Sequence, residues 1–74
     1  MIVKDVRVKA ERDPSQKTII ARIGGEDEVI GSIRKDNFGY YIVDIKFGKL
    51  EGSGQYSFLS AAKEAVQRVK GKGV

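Results

Sequence analysis

FLSAAKEAVQRVK, residues 58–70, is the stretch on which the reading of the fold turns. Phe58, Ala62, Ala65, Val66 and Val69 fall at helical spacing on one side, with Lys63, Glu64, Gln67 and Arg68 on the other. The spacing predicts a helix over 58–70 whose small alanines allow close approach to a sheet. Ser57 or Ser60 is placed to cap it, because a serine oxygen accepts a bond from an otherwise unpaired first-turn amide. Lys70-Gly71-Lys72-Gly73-Val74 is expected to end the helix and to fray.

Everything before this run reads as strand and turn. In residues 2–10, Ile2, Val6, Val8 and Ala10 point one way and Asp5, Arg7 and Lys9 the other, with Lys4 the one break in the alternation. Asp13-Pro14-Ser15-Gln16 makes a turn, since proline pre-sets φ and its polar neighbours bond nearby amides. Residues 17–23 form a second strand with Ile19, Ala21 and Ile23 on one face, and Gly24-Gly25-Glu26-Asp27 gives a tight polar connection. Residues 28–34 and 40–47 are the third and fourth strands, joined by the turn Lys35-Asp36-Asn37-Phe38-Gly39. In the fourth, Tyr41, Val43, Ile45 and Phe47 alternate with Tyr40, Ile42, Asp44 and Lys46, in a run rich in β-branched and aromatic residues. Gly48 to Gly54 reads as a mobile loop, and residues 55–57 as a short edge strand.

Sheet first and helix last predicts a single α+β domain over 1–74. Its antiparallel sheet has four strands, five if the edge segment pairs, with one carboxy-terminal helix packed on one face. The apolar faces give a core of Val6, Val8, Ile19, Ile23, Val29, Ile33, Tyr41, Val43, Ile45, Phe47, Phe58, Ala62, Ala65 and Val69. The opposite face carries Arg7, Lys9, Arg22, Arg34, Tyr40 and Lys46 among Ile20, Ile30, Ile42 and Asp44. One helix covers one face, so Ile20, Ile30 and Ile42 are left as a contact surface for a second copy or another protein.

Composition narrows the function classes. The 74 residues include no His and no Cys, which removes the commonest catalytic base, the thiol nucleophile and the usual soft metal ligands. The serines have no histidine to activate them. Glu26, Asp27 and Glu28 lack the alternating spacing of a calcium loop, and Gly48 to Gly54 lacks the spacing of a phosphate-binding loop. The expectation is a binding protein, not an enzyme, with no cofactor, no metal and no small-molecule substrate. The absence of cysteine fits a reducing cytoplasm. No run approaches the roughly 20 apolar residues that span a bilayer, so no membrane is expected as partner. Fourteen Lys and Arg against ten Asp and Glu leave a net charge of +4, a lean towards anionic partners. Arg34, Lys35, Tyr40, Tyr41, Lys46 and Lys49 cluster along one hairpin, where cations neutralise phosphates and tyrosine stacks on an unpaired base.

Gly31-Ser32-Ile33-Arg34-Lys35, Gly39-Tyr40-Tyr41-Ile42-Val43, Gly48-Lys49, Phe58 and Lys63-Glu64-Ala65 together resemble the AP2-like amino-terminal arm-binding domains of tyrosine recombinases from phages and mobile elements. The resemblance spans residues 31–66. It implies a three-stranded antiparallel sheet on a carboxy-terminal helix, an open sheet face that reads DNA, and a phage or mobile-element origin. It places Arg34, Lys35, Tyr40 and Lys46 at DNA-facing positions. Residues 2–23 add a hairpin ahead of the matched region, and no recombinase catalytic segment follows, so binding without cleavage is implied. The expected DNA-binding set is therefore Arg22, Arg34, Lys35, Tyr40, Lys46 and Lys49. The alternative is a modulator of a host enzyme that docks through Ile20, Ile30 and Ile42.

Overall fold

The computed structural model describes all residues, Met1–Val74. Five strands, β1 (Val3–Ala10), β2 (Gln16–Ile23), β3 (Glu26–Lys35), β4 (Tyr41–Phe47) and β5 (Leu50–Tyr56), precede one helix, α1 (Leu59–Gln67). The strands form one antiparallel sheet in the order β1-β2-β3-β4-β5, the small α+β architecture that the order of segments predicts. No helix is long and apolar enough to cross a membrane.

Local chemistry explains the connections. Gly24 and Gly25 take φ of +61° and +84° between the paired residues Ile23 and Glu26. Positive φ at both central positions is what a two-residue turn needs to match the twist of its strands. In the first turn the Asp13 carboxylate accepts bonds from the Ser15 hydroxyl at 2.7 Å and the Ser15 amide at 2.9 Å. Those bonds hold the Asp13 carboxyl below the usual carboxylate range. In the β3–β4 turn the Asp36 carboxylate accepts bonds from the amides of Phe38 and Tyr40.

The fifth strand is longer than a glycine-rich segment suggests. Residues 50–54 are strand, not mobile loop, and the loop contracts to the two-residue turn Gly48-Lys49 between Phe47 and Leu50. Leu50 is buried and anchors the segment. The Tyr56 ring lies back over Gly54, giving that residue the cover it lacks of its own.

Two strands carry an extra residue. Lys4 pairs with Arg22 and Arg7 with Ile20, so Asp5 and Val6 together oppose Ala21. Asp5 takes φ of +50° there, the one residue other than glycine with positive φ. Ile19 pairs with Gly31 and Ile20 with Val29, which leaves Ile30 as the extra residue of β3. A bulge bends its strand and increases its twist. Both bulges flank β2, and the helix packs against β1, β4 and β5.

The second bulge corrects two assignments. Val29 is 60% exposed, not core, and Ile30 is fully buried, not part of an exposed patch. The added residue turns each to the face that simple alternation gives the other. Val3, Ile19, Ile30, Ile33 and Val66 are the largest fully buried side chains, and Val8, Tyr41, Phe47, Tyr56, Leu59, Val69 and Val74 pack around the core half-buried.

The helix also differs from its spacing. The chain leaves β5 extended, so Phe58 is the N-cap residue, with φ −130°, ψ 144° and no side-chain cap bond from Ser57 or Ser60. Phe58 is therefore 70% exposed, not core, and Leu59, Ala62, Val66 and Val69 face the sheet. The helix ends at Gln67 and tightens, with the amides of Arg68, Val69 and Lys70 bonding three residues back.

Residues 71–74 do not fray. The Gly71 amide donates to the Val3 carbonyl and the Val3 amide to the Lys72 carbonyl, both at 2.9 Å, and the Val74 amide donates to Met1 at 2.8 Å. The Val74 side chain then lies against Gly48. The tail thus runs along the outer edge of β1 to the β4–β5 turn.

Candidate nucleic-acid interface

The helix covers one face of the sheet, and the other face is assembled from cross-strand rows. Lys4, Arg22 and Asp27 form one row across β1, β2 and β3. Arg7, Ile20 and Val29 form the next, followed by Lys9, Thr18, Ser32, Asp44 and Ser53. Gln16, Arg34, Ile42 and Gln55 make the last full row, and Lys46 pairs with Glu51 at the other end of β4. Six cations, Lys4, Arg7, Lys9, Arg22, Arg34 and Lys46, thus share this face with Asp27, Asp44 and Glu51, and all nine side chains belong to exposed residues.

All the ion pairs of the molecule lie on this face. Arg7 meets Asp27 at 2.8 Å, Arg22 meets the same Asp27 oxygen at 3.5 Å, and Arg34 approaches Asp44 at 4.0 Å. The bond from Arg7, helped by the charges of Arg7 and Arg22, holds the Asp27 carboxyl below the usual carboxylate range. Lys4, Lys9 and Lys46 are in no ion pair. Lys4 stands directly opposite Arg22, and like charges so placed repel unless an anion lies between or above them.

Of the residues expected to bind DNA, Arg22, Arg34 and Lys46 share the open face, and Tyr40 borders it at 40% exposure, its amide bonded to Asp36 at 2.9 Å. Lys35 and Lys49 do not join them. Lys35 pairs with Tyr41, on the helix side, and its ammonium lies 5.8 Å from the centre of that ring. Lys49 is in the β4–β5 turn and lines a hollow with Leu50, Val69 and Lys72, again on the helix side. The isoleucine patch is reduced. Ile20 and Ile42 are half-buried on the open face, Ile30 is in the core, and exposed Val29 stands beside Ile20 in its place.

Lys4 and its neighbours Arg7 and Lys9 belong with the site, although the expected DNA-binding set lies mainly on the hairpin of residues 34–49. The signal for Lys4 is its break in the alternation, which marks the bulge at Asp5 that turns it to the open face. The acidic run separates by parity: Asp27 faces the cations, while Glu26 and Glu28 pair with the core residues Ile23 and Ala21 on the helix side. No three acidic side chains gather closely enough to hold a metal ion. At the turn end of the sheet Phe38 is 86% exposed, an aromatic that strand reasoning passes over because it lies in a loop. The chain matches no family model, no curated protein and no solved structure.

Proposed function

We propose that this protein is a small, non-catalytic DNA-binding module that holds the phosphate backbone against the open face of its sheet. One observation carries the reading. Lys4 and Arg22 stand opposite one another with Arg7 in the adjoining row, and Asp27 is the single carboxylate paired to this group. A phosphate placed there relieves the repulsion between Lys4 and Arg22. Lys9, Arg34 and Lys46 extend the positive field along the sheet, and Tyr40 and Phe38 offer rings for stacking at its turn end. The resemblance of residues 31–66 to AP2-like arm-binding domains supports the same face and a phage or mobile-element setting.

Titration with duplex and single-stranded DNA at several salt concentrations tests the reading. Lys4→Ala, Arg22→Ala, Arg34→Ala and Lys46→Ala each take one cation away from the phosphates. Each is expected to flatten the slope of log affinity against log salt by about 0.7–0.9. Tyr40→Ala is expected to weaken binding and leave the melting temperature unchanged. Wild-type protein without salt-dependent binding to either form overturns the proposal.

A second reading, a protein-docking module, draws on the exposure of Val29 beside Ile20. It predicts partner binding that Val29→Lys abolishes and Lys46→Ala spares.

A further inference from the structure

The two edges of the sheet are finished differently. Several devices that close a strand edge are present on β1. Its bulge at Asp5 interrupts the edge, and Lys4, Arg7 and Lys9 lie along it. Residues 71 and 72 bond Val3, and the Gln67 side-chain amide donates to the Val6 carbonyl at 2.9 Å. None of this is repeated on β5. Its pairing with β4 runs without interruption from Tyr41–Tyr56 to Phe47–Leu50. It holds no proline, lysine or arginine. No side-chain bond and no backbone bond outside the ladders reaches residues 50–56. Glu51, Gly52, Ser53 and Gln55 are exposed, and the space beside Gly52 is empty.

The register shows which groups face outward. A two-residue turn closes on a pair that exchanges both backbone bonds, and such pairs recur at every second residue. Leu50, Gly52, Gly54 and Tyr56 therefore bond β4, and the amides and carbonyls of Glu51, Ser53 and Gln55 point away from the sheet.

We propose that β5 is an association edge, on which a second copy of this chain lays its own β5 antiparallel about a twofold axis at Ser53. Ser53 is the midpoint of Leu50–Tyr56, so Ser53 pairs with its symmetry mate and Glu51 with Gln55 of the second copy. Each of these pairs exchanges two backbone bonds, which satisfies every outward group of the edge at once. Glu51 meets a neutral amide and not another carboxylate. On the helix side Leu50 meets Tyr56 of the second copy, and the glycines face one another without side chains to clash. A twofold contact of this kind closes, ending in a dimer and not a filament, because β1 is blocked. The inference stands whether or not the open face binds DNA.

Sedimentation across a wide concentration range tests it. The wild-type chain is expected to form a concentration-dependent dimer. Ser53→Pro removes an outward amide that the folded chain itself does not use, so it is expected to give a monomer with unchanged circular dichroism and melting. Ser53→Lys sets two like charges across the axis and is expected to do the same should the proline variant not fold. Gln55→Lys places a cation against Glu51 of the second copy at two symmetric positions, and is expected to tighten the dimer about 2–30-fold. A wild-type chain that stays monomeric at its solubility limit overturns the proposal, as does a dimer that survives Ser53→Pro and Ser53→Lys or that Gln55→Lys leaves unchanged.

Discussion

Along β4, buried Val43 and Ile45 alternate with exposed Asp44 and Lys46, whereas its bonded neighbour β3 buries Ile30 and Ile33, three positions apart, and exposes Val29. Both strands cross the same sheet and cover the same core. They differ by one residue, the bulge at Ile30, which lets β3 turn an isoleucine inward at the point where it passes from Gly31 to Val29. The comparison shows that a strand's inner face is set by its ladder and not by its sequence alone. A single inserted residue decides which of two adjacent hydrophobic side chains holds the fold together.

The sharpest way to break this comparison is to truncate the two neighbours separately. Ile30→Ala is expected to lower stability by about 2–5 kcal/mol, the range for a fully buried isoleucine. Val29→Ala is expected to change it by less than about 0.5 kcal/mol, as for an exposed site. Urea denaturation of the two variants measures the difference, and equal losses would mean that β3 runs without its bulge. Next in size is Gly31, which pairs with Ile45 of β4. A side-chain carbon there would run into the Asp44 carbonyl oxygen, a backbone atom that cannot move aside alone. Gly31→Ala is therefore expected to cost roughly 1–3 kcal/mol by forcing the strands apart. Loss of amide-exchange protection confined to the β3–β4 ladder would locate the damage.

How much of this was legible follows the same division. β4 keeps strict alternation, so its faces were read correctly residue by residue, and with them the exposed positions of Arg34 and Lys46 on its hairpin. The helix is legible from its spacing, but that spacing turns Phe58 inward because nothing in the sequence says that the helix begins only at Leu59, with Phe58 outside it as the extended N-cap residue. The swap of Val29 and Ile30 left no trace in hydrophobicity, since both residues are apolar and either fits a buried position. Lys4 was the exception, because a lysine at an inward position is a conflict that only a bulge resolves. Only proximity along the chain groups Lys35 and Lys49 with the basic hairpin, and proximity does not say on which side of a sheet a turn residue falls. The tail escaped for a different reason: a Gly-Lys-Gly run has no side-chain pattern, and its order comes from backbone bonds to β1.

The bulge in β1 permits a smaller test. Asp5 takes a positive φ that costs an L-residue about 1–2 kcal/mol, less for aspartate, which tolerates it better than most. Replacing it with glycine removes that strain and adds unfolded-state entropy, so Asp5→Gly is expected to gain at most ~1 kcal/mol. Thermal melting checks the sign, and a clear loss would show that the Asp5 side chain stabilises the bend. The smallest effect concerns Asp27. Its carboxyl is held below the usual range by Arg7 first and Arg22 with it, so its contribution to stability is present above the ordinary carboxylate range and is lost as pH falls through its lowered value. Protonation also frees both arginines. Melting of wild type and Asp27→Asn is expected to converge in acid, and the variant is expected to bind DNA more tightly than wild type at neutral pH.

The pairing of residues 71–74 with Met1 and Val3 has a consequence in time. During synthesis the β1–β2 hairpin emerges before the helix, yet the outer bonds of β1 come from Gln67, Gly71 and Lys72. Leu59, Ala62, Val66 and Val69, which cover the inner face of the sheet, also arrive late. The sheet must therefore wait with its apolar face uncovered until residues 59–72 have been made, and contacts such as Gln67 with Val6, 61 residues apart, are of the non-local kind that slows folding. The edge of β1 is completed only by residues made after all five strands, Gln67, Gly71 and Lys72.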